Sequence, residues 1–391
     1  MHYVLLGQGP LPSSSEPFCT FPQLRTWSLW KSLSQWCRKE GHTLELLLLD
    51  DREQPETYNV YAAKDMQALY QRVQSADAII TAGPFLPLIA LLHLPTDIPL
   101  WLDYPSDPLA DREAKHALSS LNNEEWCFVS ELVDYAQKRA DAIGVISHRQ
   151  RWATTGQRLW LHCPSIPIHH LPIAFDFPMS MVHQSHGQDI LLAGSNNAWL
   201  NIPKLEQALQ NQTVHCTGMD VPHLEESSHR LPPSWTVHGW LSTPDLQKVI
   251  KTCQFGVWAD RHGTEPLLGS RTRALFYLWN GLTPIGDTTT ELASLLYEAQ
   301  SMRSWEDSNP FQPVNIHQVQ EFCRKTFAPD NIYQPLFSWM KSPSKTHPLR
   351  QSETLLSENR RLRQTLQNIY NTPTWRWGSK LHGWINRIID R

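Results

Sequence analysis

Two arginines sit where a helix should begin. The run Glu265-Pro266-Leu267-Leu268-Gly269-Ser270-Arg271-Thr272-Arg273 leads into Ala274-Leu275-Phe276-Tyr277-Leu278-Trp279, so a Gly-Ser turn opens an apolar helix with Arg271 and Arg273 in its first turn. Free N–H groups at a helix start carry partial positive charge, and arginine there costs stability. A bound phosphate reverses that sign, because N–H groups and guanidinium then hold one anion together. The chemistry implied is a diphosphate cradle; a solvated basic first turn is the plain alternative. Gly194-Ser195-Asn196 follows the apolar run 189–193 and can bring backbone N–H groups close to a ligand, against the reading of an ordinary turn. Asp103 follows Trp101-Leu102 at the end of another apolar run and is the candidate catalytic carboxylate. Its alternative is a loop carboxylate capping the next helix, although Asp107 is nearer for that. Arg25, at the start of a long helix, and His148, after the last strand of the first half, are candidates for the acceptor or phosphate side.

These groups need a scaffold that brings strand ends together. Short apolar runs alternate with amphipathic ones over the first 180 residues: strands at 3–7, 43–49, 77–81, 99–102 and 142–146, and helices at 21–40, 64–75, 109–121 and 124–139. A polar, His-rich stretch at 181–188 reads as a linker. The alternation then restarts with strands at 189–193, 213–217, 235–238, 255–259 and 282–285, and helices at 202–210, 243–252, 289–299, 316–326 and 330–340. Such alternation implies parallel sheets covered on both faces, with ligands at the carboxyl ends of the strands. The expected division is 1–180, 186–342 and a helical tail, 350–391.

The bulk composition excludes several classes. With 391 residues the chain is long enough for two domains, and a net charge of −4 points to no nucleic-acid partner. Seven cysteines without CxxC spacing suggest free thiols in a reducing compartment. The pairs His169/His170 and His183/His186 lack a third ligand at metal spacing, so neither a metal nor another cofactor is expected. The start, Met1-His2-Tyr3-Val4, reads as a strand and not a signal peptide, and no apolar run is long enough to span a bilayer. A cytoplasmic protein is expected. From Gln351 onward seven Arg or Lys face three acids, and Trp375, Trp377 and Trp384 alternate with Arg376, Lys380 and Arg387. This tail is a candidate for contact with the inner-membrane surface, or else packs back on the body.

Several stretches together resemble bacterial glycosyltransferases of the GT-B fold, most closely the family 4-like group. They are Phe21-Pro22-Gln23-Leu24-Arg25-Thr26-Trp27 leading to Gly41-His42, Pro99-Leu100-Trp101-Leu102-Asp103 with Asp107-Pro108-Leu109-Ala110, and Ser147-His148-Arg149-Gln150-Arg151. The second half adds Leu191-Leu192-Ala193-Gly194-Ser195-Asn196, Glu265…Gly269-Ser270-Arg271, and Leu282-Thr283-Pro284-Ile285-Gly286-Asp287 with Glu291-Leu292-Ala293. The likeness covers about residues 1–340. It implies an α/β architecture of two doubly wound, Rossmann-like domains facing a cleft. A nucleotide-sugar, as substrate, would lie on the second domain, touching Gly194, Ser195, Asn196, Glu265, Gly269, Ser270, Arg271, Arg273, Asp287 and Glu291. A glycan or lipid-linked acceptor would sit against the first. Such an enzyme would build a surface polysaccharide, moving a hexose with retention. No Asp-x-Asp pair is present, so the arginines, with Arg271 as the catalytic one beside Asp103, would stabilise the leaving group without a metal. One departure stands out: the family's second Glu, eight residues after the first, is Arg273 here, and Glu291 is the substitute considered. A GT-B protein that binds without catalysis, and a nucleotide-sugar epimerase, are the competing readings.

Overall fold

The computed structural model describes residues 1–9, 11, 21–49, 59–61, 66–83, 85–116, 123–175, 187–194, 199–219, 232–346 and 357–365. Its first half runs β1 (His2–Gln8), α1 (Phe21–Glu40), β2 (Thr43–Leu49), β3 (Asn59–Tyr61), α2 (Met66–Val73), β4 (Ala78–Ala82), α3 (Leu86–Leu91), β5 (Leu100–Tyr104), α4 (Pro108–His116), α5 (Asn123–Arg139), β6 (Ala142–Val145), α6 (His148–Trp160) and β7 (Ile168–His170). The second half runs β8 (Asp189–Ala193), α7 (Ile202–Ala208), β9 (Val214–Thr217), β10 (Trp235–Val237), α8 (Thr243–Thr252), β11 (Cys253–Val257), α9 (Thr264–Leu268), α10 (Thr272–Trp279), β12 (Thr283–Gly286), α11 (Glu291–Glu298), β13 (Arg303–Ser304), α12 (Ile316–Phe327), α13 (Pro329–Ile332) and α14 (Gln334–Met340). A last helix, α15, covers 357–365.

Both sheets are parallel and doubly wound. The first has the order β3-β2-β1-β4-β5-β6-β7 and the second β10-β9-β8-β11-β12-β13. Each reverses direction beside its first strand, between β1 and β4 and between β8 and β11, and a crevice opens at such a switch point. The strands are continuous apolar runs because helices cover both faces: Tyr3, Val4, Leu5 and Leu6 of β1 are all fully buried. Alternate residues feed opposite faces, so Val4 and Leu6 join one core cluster while Tyr3 and Leu5 join another.

The chain's last described elements cross back. Tyr333, Leu336, Phe337 and Met340 pack in the same core cluster as Tyr3, Leu29 and Trp101. Phe337 stacks on Trp36, the ring planes 1° apart, and Tyr3 Oη donates to the Met340 carbonyl. Residues 329–340, expected in the second domain, are thus held by the first. The reason is their apolar face, which completes the layer over α1. The tail helix follows them: Leu362 is buried among α3 and α5, and Asn359 donates to the Leu92 carbonyl and Tyr135 Oη. The described part of the tail therefore packs on the body, while Trp375, Trp377 and Trp384 lie outside the described residues.

The helix α6 departs most from expectation, since the sequence pattern marked no element over its residues. Ser147 caps it by accepting from Gln150 N–H. Its inward face is polar: Gln150, Thr154 and Arg158 are buried, Gln150 accepting from Ile146 N–H and Arg158 donating to the carbonyls of Gln137 and Pro164. An apolar period facing the core, the usual mark of a surface helix, is absent.

Candidate functional site

The switch point of the second sheet is built around Tyr277. Pairing of β11 with β8 ends at Gly256↔Leu191. Beyond it the Tyr277 hydroxyl bridges the gap, accepting from Ala193 N–H at 3.0 Å and donating to the Val257 carbonyl at 2.9 Å. Burial pushes its pKa up to about 12. The ring lies flat on Gly256, where a β-carbon would come within 2.2 Å of it. The chain then turns at Gly194 with φ +100°, a conformation that favours glycine.

Arg273, in the first turn of α10, reaches into this gap. A β-carbon on Gly194 would lie 3.6 Å from its Nη2. Nη1 is buried and has no hydrogen-bond partner among the described residues. Burial lowers the pKa of the group, and the nearby Arg271 charge adds to that. The nearest carboxylates, Asp260 and Glu265, are clasped by Arg271 and only partly offset the cost of that burial, and the site supplies a helix start whose charge has the same sign.

Arg271 has a different task from the one expected. Its Nε donates to Asp260 Oδ1 at 2.6 Å, and Nη1 and Nη2 clasp both oxygens of Glu265 at 3.0 and 2.8 Å. All three residues are buried. The guanidinium is spent on two carboxylates, so Arg271 and Glu265 form a support, and among the described residues Arg273 is the cation left for the cradle. Gly269 makes the clasp possible, since a β-carbon there would lie 2.6 Å from Glu265 Oε1. Ser270 is half-buried in the turn between α9 and α10. Asp260 keeps one oxygen, Oδ2, buried and unpartnered, and burial raises its pKa against the pull of Arg271. Asp287 braces the same loop: its Oδ2 accepts from Asp260 N–H at 2.6 Å and its Oδ1 pairs with Lys204. Ser195 and Asn196 lie outside the described residues.

Three further expectations change on the facing side. Asp103 does not face open space. It is fully buried in a two-point ion pair with Arg25, at 2.7 and 2.9 Å, and Arg25 also donates to the carbonyls of Leu171 and Pro172. The pair pins α1 to the segment leaving β7, so neither residue is available as acid, base or phosphate ligand. Glu291 is equally occupied: its two oxygens accept from the backbone N–H groups of His148 and Arg149, at 2.7 and 2.5 Å. It caps α6 from across the domain boundary, where its charge suits a helix start. Arg149 returns a bond to the Thr289 carbonyl, and Ser147 Oγ donates to that of Leu268. These contacts show that the carboxyl ends of the two sheets face each other. The His148 side chain is exposed there, its ring 4.1 Å from that of His170, whose pKa burial and His148 pull down.

Sequence reasoning missed Tyr277, Asp260 and Lys204. A glycine inside the run Phe255-Gly256-Val257 and a hydroxyl inside an apolar helix were the available signals for Tyr277.

Two facing, doubly wound halves also occur in solved structures. An alpha-glucosyltransferase in complex with UDP and a 13-mer DNA superposes with a TM-score of 0.57 at 12% identity, covering 88% of this chain and 100% of its own. The sucrose-phosphate synthase of Thermosynechococcus elongatus gives 0.56 at 11%, covering 87% and 98%. The lipopolysaccharide outer core galactosyltransferase WaaB gives 0.53 at 12%, covering 88% and 99%. The chain has the GT-B fold. No protein-family model matches it, and no curated protein sequence does. At these identities the GT-B likeness establishes architecture. One expectation is corrected by it: a neighbour of this fold is bound to DNA, so the mild net charge gives no ground for excluding a nucleic-acid partner. Among the described residues, no helix is long and apolar enough to cross a membrane, and no three His, Cys, Asp or Glu side chains gather as a metal site.

Proposed function

We propose that the protein is a glycosyltransferase that uses a nucleoside diphosphate sugar. The observation that carries this reading is Arg273, whose buried Nη1 lacks a partner at the sheet's switch point, beside Gly194 and at the start of α10. A diphosphate there would receive the guanidinium, the helix N–H groups and the backbone at Gly194. The bond from the anomeric carbon to the diphosphate oxygen breaks, and the diphosphate leaves with the electron pair. The acceptor hydroxyl oxygen bonds the anomeric carbon and releases its proton to the leaving oxygen or to water. Positive charge held in place at the leaving group lowers the barrier. Asp260 Oδ2, buried and unpartnered nearby, suits a donor hydroxyl. UDP is the first nucleotide to try, since a structural neighbour is a complex with UDP.

The finer reading is a metal-independent hexosyltransferase of family 4 type acting on a surface-glycan or lipid-linked acceptor, with retention. A protein that binds the donor without transfer is the competing reading; the engagement of Asp103 and Glu291 elsewhere favours it. The test is release of nucleoside diphosphate from a panel of nucleotide sugars by the purified full chain. Turnover that persists in chelator and falls by about 10–100-fold in Arg273→Met supports transfer. Binding without turnover on any donor would leave the binding-only reading. Turnover abolished by chelator and restored by magnesium would refute the metal-independent step.

A further inference from the structure

The helix α6 is built inside out. Its polar residues Gln150, Thr154 and Arg158 face the body, while Trp152, Leu159 and Trp160 are 75%, 70% and 83% exposed. At the helical period Trp152, Gly156, Leu159 and Trp160 fall within roughly 100° of one another, so they form one outward stripe. The helix carries Arg149, Arg151 and Arg158 and no carboxylate. Arg149 is partly engaged with Thr289 and Glu291, whereas Arg151, on the flank of that stripe, is exposed and makes no ion pair among the described residues.

We propose that α6 seats the protein on an anionic lipid surface, with Trp152, Leu159 and Trp160 at headgroup depth and Arg151 against the headgroup charge. Indoles favour the bilayer interface, and cations beside them gain from anionic lipid. Two exposed tryptophans and a leucine offer on the order of 500 Å² of apolar surface. That falls short of the roughly 800 Å² per partner of a stable protein interface, while it is ample for interfacial insertion.

The position of α6 gives the seat a consequence that rests on the glycosyltransferase reading. The helix begins at the domain boundary, where Glu291 caps it and Ser147 bonds Leu268. Seating α6 brings the mouth of the cleft to the lipid, which selects an acceptor anchored in the membrane over one free in solution.

The experiment is flotation of the full-length protein with vesicles of phosphatidylcholine alone and with about one-third phosphatidylglycerol. Binding to the anionic vesicles is expected, with a loss of at least about tenfold in the double variant Trp152→Ser/Trp160→Ser. The full chain carrying Trp375→Ser, Trp377→Ser and Trp384→Ser is expected to float like wild type. Because the α6 positions are exposed, thermal stability and UDP affinity should be unchanged, which separates failure of the seat from failure of the donor site. Absence of flotation, equal flotation of the α6 variant, or flotation lost only in the tail variant would overturn the proposal. So would light scattering that shows a dimer dissolved by the α6 substitutions.

Discussion

Replacing Arg271 and Arg273 in turn should produce very unequal stability effects, although the two stand two residues apart. Arg271→Met removes the partner of two carboxylates, Asp260 and Glu265, both at least nine-tenths buried. Breaking a buried ion pair by deleting one member costs about 3–5 kcal/mol, since the remaining charge has neither water nor counter-ion. Methionine keeps most of the volume, so the loss reports on the charges and not on a cavity. At about 2–4 °C per kcal/mol for a unit of this size, the second half should melt roughly 6–20 °C lower. Arg273→Met removes a desolvated cation whose Nη1 has no partner. Its stability should change by no more than about 1 kcal/mol, in either direction. Differential scanning calorimetry of the two variants beside wild type is the assay. An Arg271→Met protein as stable as wild type would refute the buried clasp. An Arg273→Met protein destabilised as much as Arg271→Met would refute the claim that Arg273 is held free for a ligand.

Other consequences follow from the remaining contacts. Tyr277→Phe leaves the Ala193 N–H and the Val257 carbonyl without their bridge, and should cost about 1–3 kcal/mol in thermal or urea unfolding. Glu291→Ala should loosen the two halves: amide exchange at His148 and Arg149 should accelerate, and scattering should show a larger radius of gyration. His93 is held at a pKa of about 4 by burial and by Arg363 of the tail helix. The unfolded chain therefore binds the extra proton between about pH 6.5 and 4, so stability is complete above that window and falls as pH drops through it. With allowance for partial solvent exposure the loss is about 1–2 kcal/mol, and His93→Gln should flatten this part of the stability–pH curve.

The sequence made the strands and most helices legible because buried parallel strands are unbroken apolar runs. Thr43–Leu49 and Phe21–Glu40 have the expected bounds. It also marked Arg273, since a cation in a helix's first turn conflicts with local preference. It put Arg271 ahead of Arg273, because Arg271's true partner is Asp260, eleven residues earlier and brought close only by the turn after β11. Asp103 was legible as a strand-end carboxylate, but its partner Arg25 lies 78 residues away, and nothing local announces a buried pair. Glu291 looked like a helix-first-turn acid, and it is one, serving the start of α6 across the boundary instead of its own helix. The helix α6 escaped because its only large apolar residues, Trp152, Leu159 and Trp160, are too sparse to mark a period and its buried face is polar.

The central claim is that Arg273 and the turn at Gly194 hold a nucleoside diphosphate. Calorimetric titration of UDP, ADP and GDP into wild type and Arg273→Met tests it most directly. At least one nucleotide should bind wild type, and the substitution should weaken it by about 1.5–3 kcal/mol, roughly 10–150-fold, the range for a lost charged hydrogen bond. Equal affinity in the two proteins, or no binding of any nucleoside diphosphate to wild type, would contradict the account.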